Sequence, residues 1–191
     1  MNICLYGASS SAISKSYITS AEELGAKLAL RGHSLIFGGG AYGLMGAAAR
    51  GAAANGGRLI GIAPSFFQAD GMLFKGCDKI IYTDTMRDRK QMMEKLSDAF
   101  IVTPGGPGTM DEFFEILTLK QLGRHAKPIA VFNINGYFDN IRRFLDNAAE
   151  QQFMTENSLK LCHFFGNADK LLGYLEDYKG ETAEISQMKK L

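Results

Sequence analysis

Short apolar runs alternate with helix-like patterns along most of the chain. The apolar runs predict six β-strands, at 2–6, 34–37, 58–62, 79–82, 99–102 and 128–132. Apolar residues spaced three and four positions apart predict six helices, at 15–31, 43–55, 85–97, 109–122, 136–150 and 168–177. The last strands are continuously apolar, as expected where both faces of a sheet are covered. The alternation predicts an α/β fold, a Rossmann-like doubly wound parallel sheet flanked by helices on both faces.

The chain has 191 residues and no segment that resembles a linker, a repeat or a low-complexity tract. We expect a single Rossmann-like domain over 1–178, followed by a polar C-terminal tail over 179–191. In such folds the ligand binds at the loops beyond the carboxyl ends of the strands. The glycines and serines of the first half of the chain fall mostly in those loops, which places the predicted ligand site there.

Charge and hydropathy narrow the possible partners. The 21 basic and 20 acidic residues leave a formal net charge of +1, which gives no general attraction for nucleic acid or for a membrane surface. No apolar run approaches the roughly 18 residues of a membrane span, and the N-terminus begins as a strand rather than as a signal peptide. We therefore expect neither a nucleic acid nor a membrane as partner.

The cysteines and histidines indicate a compartment but no cofactor. Cys4, Cys77 and Cys162 are odd in number and form no Cys-x-x-Cys pair, which is typical of reduced thiols in a cytoplasmic protein. The three histidines are isolated and lack the spacing of metal ligands. We expect a cytoplasmic protein that uses no metal and no cofactor.

One glycine-rich loop has the pattern of a phosphate cradle. The segment 103–112, Thr-Pro-Gly-Gly-Pro-Gly-Thr-Met-Asp-Glu, joins a buried strand to the start of a helix. The N–H groups at a helix start have no internal partner and favour a phosphate or another anion. Glycines allow the main chain to approach that anion. The residues predicted to form the cradle are Gly105, Gly106, Gly108 and Thr109.

Two glutamates follow this loop, although the loop itself favours negative charge. Glu112 and Glu115 lie one helical turn apart, which indicates carboxylates reserved for chemistry. The alternative for Glu112 is a favourable position near the positive end of the helix dipole, worth about 0.3–1 kcal/mol. That alternative fits Asp111 equally well and does not account for a carboxylate among leucines.

The predicted helix at 85–97 carries a cation on its apolar face. At 100° per residue Arg89 falls between Met86 and Met93, whereas Arg87 falls on the opposite, polar face. A buried cation is costly unless an anion pairs with it. Arg89 either extends over the methionines to the surface or reaches into the pocket toward a phosphate or Glu112.

A second glycine loop at 38–43, Gly-Gly-Gly-Ala-Tyr-Gly, satisfies the pattern GxGxxG. A dinucleotide site also needs an acidic residue at the end of the next strand, where this chain has Ala63 and Pro64. We therefore disfavour NAD or FAD and expect a tight turn whose glycines also wall the pocket. A P-loop motif is absent, which excludes nucleotide hydrolysis of that type.

The predicted helix at 109–122 has two apolar stripes. The first should cover the sheet and contains Met110, Phe113, Phe114 and Leu117. The second contains Ile116, Leu119 and Leu122, although a surface helix needs only one apolar face. We expect the second stripe to pack against a second copy of the chain, which predicts a homodimer with the site near its interface.

Together these motifs resemble a known family. The run Pro104-Gly105-Gly106-x-Gly108-Thr109-x-x-Glu112 is similar to the PGGxGTxxE signature of the LOG ("lonely guy") proteins. These are cytokinin-activating phosphoribohydrolases, often mislabelled as lysine decarboxylases. Further similar segments, in the same order along most of the chain, are 7–11, 38–46, 86–90 and 121–128.

The resemblance implies a reaction and an assembly. It implies hydrolysis of the N-glycosidic bond of a (N6-modified) adenosine 5′-monophosphate to free base and ribose 5-phosphate, by a homodimer with shared active sites. It assigns catalysis to Arg89 and Glu112. Lys90 would join the cradle residues on the phosphate, and Glu115 would lie near the base. Further candidates for substrate binding in the matched segments are Ser9, Gly39, Gly40 and Met86.

The chain departs from the family pattern at Arg87, where the family usually has histidine. We expect this change to affect partner contacts or substrate preference rather than activity. Two alternatives remain for the function: a nucleotide-binding module without catalysis, and a broader purine nucleoside 5′-monophosphate nucleosidase. A lysine decarboxylase would need a Ser-x-His-Lys element to hold its cofactor, and the sequence has none.

Overall fold

A computed structural model describes residues 1–180, apart from the side chains of 68–70. Within this part of the chain seven strands form one sheet in which every pair is parallel. The strands are β1 (Asn2–Tyr6), β2 (Ser34–Phe37), β3 (Leu59–Pro64), β4 (Lys79–Thr83), β5 (Ala99–Val102), β6 (Ile129–Phe132) and β7 (His163–Phe165).

Within residues 1–180, six α-helices cover the two faces of the sheet. They are α1 (Lys15–Leu30), α2 (Gly43–Ala54), α3 (Met86–Leu96), α4 (Pro107–Gln121), α5 (Asp139–Glu150) and α6 (Ala168–Asp177). Short 3₁₀ segments at Ser65–Asp70, Ile134–Gly136 and Glu156–Leu161 lie in the connections. No helix within residues 1–180 combines the length and the apolar character needed to cross a membrane.

The fold class predicted from the sequence is confirmed, and all six predicted strands and all six predicted helices are present, with the predicted bounds in β1, β2, β5 and α6 and with shifted ends in the others. The largest shifts are at helix starts: α4 begins two residues earlier than predicted, at Pro107, and α5 three residues later, at Asp139. The strand β7 was not predicted, because three half-buried residues are too few to show a pattern. The predicted tail from 179 lies, beyond residue 180, outside the described residues.

The strand order is β4-β3-β2-β1-β5-β6-β7, so the chain reverses its direction of winding between β1 and β5. Ligands of doubly wound sheets bind at such a switch point, beyond the carboxyl ends of the strands. Two backbone contacts join the loops there: Ala8 N donates to Pro104 O at 3.0 Å, and Leu44 N donates to Ala8 O at 2.9 Å. The loops after β1 and β5 are thereby tied to each other and to the start of α2.

Alternate residues of the central strands enter two separate cores. Ile3 and Leu5 of β1 pack with α1, α2 and α6, whereas Cys4 and Tyr6 pack on the side of α3, α4 and α5. The helices α1 and α2 can approach closely because Gly25 has no side chain. A Cβ atom at this position would lie 2.0 Å from the carbonyl oxygen of Ala48. The sheet is therefore covered on both faces, and its central strand is buried from Ile3 to Tyr6.

Candidate active site

A cleft of about 510 Å³ lies at the switch point. Its walls come from the loops after β1, β2, β3 and β5 and from the first turns of α3 and α4. Eight of the residues predicted for the site line this cleft: Ser9, Gly40, Met86, Arg89, Gly106, Gly108, Thr109 and Glu112. The fold therefore brings together eight of the twelve residues predicted for the site.

The Arg89 side chain reaches the cleft from α3 and is only 5% exposed. Its Nη1 donates to Oε1 of Glu112 at 2.7 Å, and its Nε donates to the carbonyl oxygen of Ile62 at 3.1 Å. The other terminal nitrogen lies against Gly38, where an added Cβ would stand 2.1 Å from Nη2. The guanidinium is therefore held by α4, by β3 and by the loop after β2. The alternative prediction, that Arg89 extends over the methionines to the surface, is wrong.

The Glu112 side chain is 8% exposed and lies one turn inside α4. Burial raises the pKa of the Glu112 carboxyl above its usual range, while the charge and hydrogen bond of Arg89 oppose that rise. A carboxylate bonded to a guanidinium at 2.7 Å is ionised at neutral pH, because the alternative would leave a buried cation without an anion. The cleft therefore contains a desolvated carboxylate whose orientation is fixed by its partner.

The three glycines of the 103–112 loop differ in the surroundings that an added side chain would meet. An added Cβ on Gly105 would lie 2.1 Å from Oγ1 of Thr109, so this glycine is needed for packing. Gly106 and Gly108 face open space and line the cleft. The helical hydrogen bonds of α4 begin with Met110 N donating to Gly106 O at 3.1 Å. The N–H groups of Gly108 and Thr109 precede that bond and have no partner within the helix.

Four residues predicted for the site are not among those that line the cleft: Gly39, Lys90, Gly105 and Glu115. Lys90 lies instead outside the cleft, where its Nζ pairs with Oδ2 of Asp111 at 2.9 Å and with Oε2 of Glu115 at 2.5 Å. Burial alone would lower the pKa of Lys90, but the hydrogen bonds of these two carboxylates raise it. Lys90 and Glu115 therefore face the outer surface of α4 in the single chain.

One wall of the cleft was not predicted from the sequence. The segment between β3 and β4 folds back over the 38–43 loop, where Ala41 N donates to Met72 O at 2.9 Å and Phe74 N donates to Gly39 O at 2.8 Å. This contact brings apolar side chains to the cleft, those of Phe67, Met72 and Leu73. The signal available in the sequence was a cluster of apolar residues, 66–67 and 72–74, in a segment with no periodic pattern.

The helix α4 is rotated relative to the predicted orientation, although Phe113 and Leu117 are buried in the core as predicted. Ile116, predicted for the outer stripe, is 3% exposed in the core, while Phe114, predicted to cover the sheet, is half-buried beside Phe144. Residues four apart share a helix face, so Ile116 follows Glu112 inward. The inward face of α4 therefore includes both Glu112 and Ile116, which the count of apolar residues could not reveal.

The arrangement suits the hydrolysis of a sugar phosphate bonded to a flat base. Unpaired helix-start N–H groups can hold a phosphate, and a fixed carboxylate can stabilise positive charge on a sugar. The cleft is also lined by apolar side chains that can contact a base, those of Met45, Phe67, Met72 and Met86. The described residues contain no group of histidines, cysteines and carboxylates that could bind a metal ion.

Known proteins with similar sequences support the same interpretation of the site. A family model described as "Possible lysine decarboxylase" matches residues 45–175. The cytokinin riboside 5′-monophosphate phosphoribohydrolase LOG1 of Arabidopsis thaliana is 36% identical over 188 residues, which cover 98% of this chain and 88% of that protein. The probable cytokinin riboside 5′-monophosphate phosphoribohydrolase LOGL5 of Oryza sativa subsp. japonica is 34% identical over 187 residues, 98% of this chain and 76% of that protein.

Solved structures share the fold at lower identity. The molybdenum cofactor carrier protein of Chlamydomonas reinhardtii superimposes with a TM-score of 0.69 and 22% identity, over 92% of this chain and 96% of that one. A molybdenum cofactor binding protein of Rippkaea orientalis gives a TM-score of 0.69 and 22% identity, over 92% and 94% of the two chains. These likenesses concern the fold alone.

Proposed function

Since this chain belongs to the LOG family of cytokinin riboside 5′-monophosphate phosphoribohydrolases, we propose that it hydrolyses an adenosine 5′-monophosphate to free base and ribose 5-phosphate. The observation that carries the proposal is the buried Arg89–Glu112 ion pair at 2.7 Å, beside unpaired amides at the start of α4. A binding module without catalysis has no use for this arrangement, because a buried ion pair contributes little to stability by itself.

The reaction needs a group that stabilises positive charge on the ribose. Cleavage of the C1′–N9 bond passes through an oxocarbenium-like state, which a carboxylate beside the sugar can stabilise while it orients a water molecule. We assign that role to Glu112. Arg89 keeps the carboxylate ionised and oriented, and its guanidinium can reach ribose or phosphate oxygens.

The 5′-phosphate would bind at the start of α4. Pro107 has no N–H, so the donors available there are the main-chain amides of Gly106, Gly108 and Thr109, together with the Thr109 hydroxyl. The open space beside Gly106 and Gly108 leaves room for phosphate oxygens. Ser9 lies across the same cleft and can donate its hydroxyl.

The apolar lining of the cleft favours an N6-modified adenine as the base. This lining includes Met45, Met72 and Met86, and methionine side chains adapt to varied apolar groups. The curated relatives are named for cytokinin ribosides, which supports the same choice. A broader purine nucleoside 5′-monophosphate nucleosidase is the second candidate, because the described lining is mainly apolar and has few groups to read the base edge.

A homodimer with shared active sites, in the cytoplasm, completes the proposal. The outer face of α4 carries Met110 and Phe114, and Phe144 beside it is 58% exposed. Pro107 borders both this face and the cleft, so a second copy bound here would lie next to the site. The three cysteines are free thiols, which supports a reducing compartment.

Chromatography of reaction products tests the function. The purified protein is incubated separately with AMP, isopentenyladenosine monophosphate and GMP, and free base and ribose 5-phosphate are quantified. We expect both products in equal amounts, with the isopentenyl substrate fastest. Comparable rates with GMP would favour the broader nucleosidase, and binding of AMP without any product would contradict the proposal. Lysine with pyridoxal phosphate should give no cadaverine.

A further inference from the structure

A tyrosine outside the cleft contacts the phosphate loop from behind. Tyr137 lies between β6 and α5, and its hydroxyl donates a hydrogen bond of 2.8 Å to the carbonyl oxygen of Gly105. A cavity of about 170 Å³, separate from the cleft, lies between this tyrosine and the loop. Gly105 borders only that rear cavity, whereas Gly106 borders both cavities. The peptide group that joins the two glycines therefore forms the wall between them.

The hydrogen bond fixes which way this peptide group faces. In a planar trans peptide the C=O of one residue and the N–H of the next point in opposite directions. All described peptide bonds are trans. Because the Gly105 carbonyl points back toward Tyr137, the Gly106 N–H points to the opposite side, toward the cleft.

Within the described residues no other hydrogen bond reaches the Gly105 carbonyl, although Ala8 N and Met110 N hold the neighbouring carbonyls of Pro104 and Gly106. Glycine adopts many backbone conformations with little penalty, and Gly106 has open space around it. Gly105 is held in place beneath Thr109, but that contact acts on its Cα rather than on its carbonyl. Without the tyrosine hydroxyl the peptide could rotate and present a carbonyl oxygen, instead of an N–H, to a bound anion.

Tyr137 is itself held rigidly. The turn before it uses two residues in the left-handed region, Asn135 at φ 53° and Gly136 at φ 73°. Asn133 closes the turn, since its Oδ1 accepts from Phe138 N at 2.7 Å and its Nδ2 donates to Asp139 at 2.7 Å. The turn therefore holds the Tyr137 hydroxyl in position before a ligand binds.

We propose that Tyr137 is a positioning residue that holds the Gly105–Gly106 peptide with its N–H directed at the phosphate of a bound sugar phosphate. This inference rests on the proposed function for the identity of the ligand. Its hydroxyl touches neither substrate nor reacting atoms. It acts through the peptide group, and it should contribute equally to ground-state and transition-state binding.

The test compares Tyr137→Phe with Tyr17→Phe. Tyr17 packs edge-on against Tyr137, with ring centroids 6.2 Å apart, and borders the same rear cavity. Binding of ribose 5-phosphate is measured by calorimetry, and KM and kcat are measured with AMP. Loss of one hydrogen bond should weaken ribose 5-phosphate binding about fivefold to tenfold in Tyr137→Phe. The KM should rise by the same factor while kcat stays within about twofold.

The control should keep the wild-type constants and melting temperature, and Tyr137→Phe should melt no more than about 4 °C lower, the scale for one lost hydrogen bond. An unchanged dissociation constant and KM in Tyr137→Phe, or an equal change in Tyr17→Phe, would overturn the role of Tyr137. A wild type that binds ribose 5-phosphate in a Tyr137-dependent way, yet releases no base from AMP, would overturn only the proposed function. A wild type that releases base from AMP but does not bind ribose 5-phosphate would overturn the role of Tyr137 and leave the proposed function standing.

Discussion

Arg89 and Glu112 lie on neighbouring helices and meet at 2.7 Å beneath the cleft, each less than one-tenth exposed. Arg89 is anchored from behind by the carbonyl oxygen of Ile62. Removing either partner of a buried pair leaves an uncompensated charge and costs about 3–5 kcal/mol. The pair therefore couples the orientation of the carboxylate to the packing of α3, α4 and the end of β3.

Gly38 offers a way to displace Arg89 without deleting it. A Cβ atom at this position would lie 2.1 Å from Nη2 of Arg89, so Gly38→Ala must push the guanidinium away from Glu112. We expect kcat with AMP to fall about 10²-fold, the scale for losing a positioned group. The control is Gly173→Ala in α6, where an added Cβ meets nothing within 4 Å. Wild-type activity of Gly38→Ala would show that Arg89 need not keep this position.

Gly105 and Gly106 should respond differently to the same substitution. Gly105→Ala would place a Cβ 2.1 Å from Oγ1 of Thr109 and 3.0 Å from the Ala8 amide, so it should destabilise the protein by about 1–3 kcal/mol. Gly106→Ala has free space and should unfold at the same urea concentration as the wild type. Its Cβ should instead crowd the phosphate and raise KM for AMP. Equal losses of stability in the two variants would contradict this distinction.

The pH dependence of activity should report the environment of Glu112. Burial raises its pKa, so the carboxylate takes up a proton at a higher pH than an exposed glutamate does. Activity that needs the ionised form should fall on the acid side at a pH above the ordinary glutamate value. The free energy of unfolding should change in the opposite direction. The folded state binds the Glu112 proton more tightly than the unfolded state does, so this contribution to stability is lost as pH rises through the folded pKa.

Two variants should move this acid limb in opposite directions. Arg89 lowers the pKa of Glu112 and Asp111 raises it, so Arg89→Ala should shift the limb of kcat/KM to higher pH and Asp111→Asn to lower pH. The measurement is the profile of kcat/KM with AMP between pH 4 and pH 8, a window chosen to span the glutamate range. A shift of both variants in the same direction would assign the limb to another group.

The outer face of α4 should hold the dimer together. Phe114 borders the groove on this face and packs edge-on against the exposed Phe144, with ring centroids 6.4 Å apart. Light scattering after gel filtration should give twice the chain mass for the wild type and the single chain mass for Phe114→Glu, because a buried charge opposes association. Phe153→Glu, at a residue 87% exposed outside this groove, should remain dimeric. A monomeric wild type would refute the proposed assembly.

The sequence predicted the fold because its strands are short, apolar and regularly separated by helical patterns. It also predicted that Arg89 needs an anion, because it lies on an apolar helix face, and it named a phosphate and Glu112 as the alternatives within the pocket. Tertiary contacts decided the remainder. The position of Lys90 depends on a contact between α3 and α4, where Asp111 and Glu115 both pair with its ammonium group.

The residues that the sequence analysis missed, in the cleft and behind it, were missed for the same physical reason. Phe67, Met72 and Leu73 lie in an aperiodic segment whose path is set by backbone hydrogen bonds to the 38–43 loop. Tyr137 acts through one hydroxyl, 32 residues away in the sequence from Gly105. Periodicity describes which face of a regular element is buried, and it contains no information about such contacts between irregular segments.

The rate of base release from AMP by Glu112→Gln tests the central claim most directly. This variant keeps the size of the side chain and an oxygen that can accept from Arg89, and Asp111→Asn on the exposed side of α4 is its matched control. We predict a loss of roughly 10²–10⁴ in kcat for Glu112→Gln. Asp111→Asn should stay within about threefold at neutral pH, since a surface ion pair contributes little. Near-native turnover by a folded Glu112→Gln protein would contradict the account.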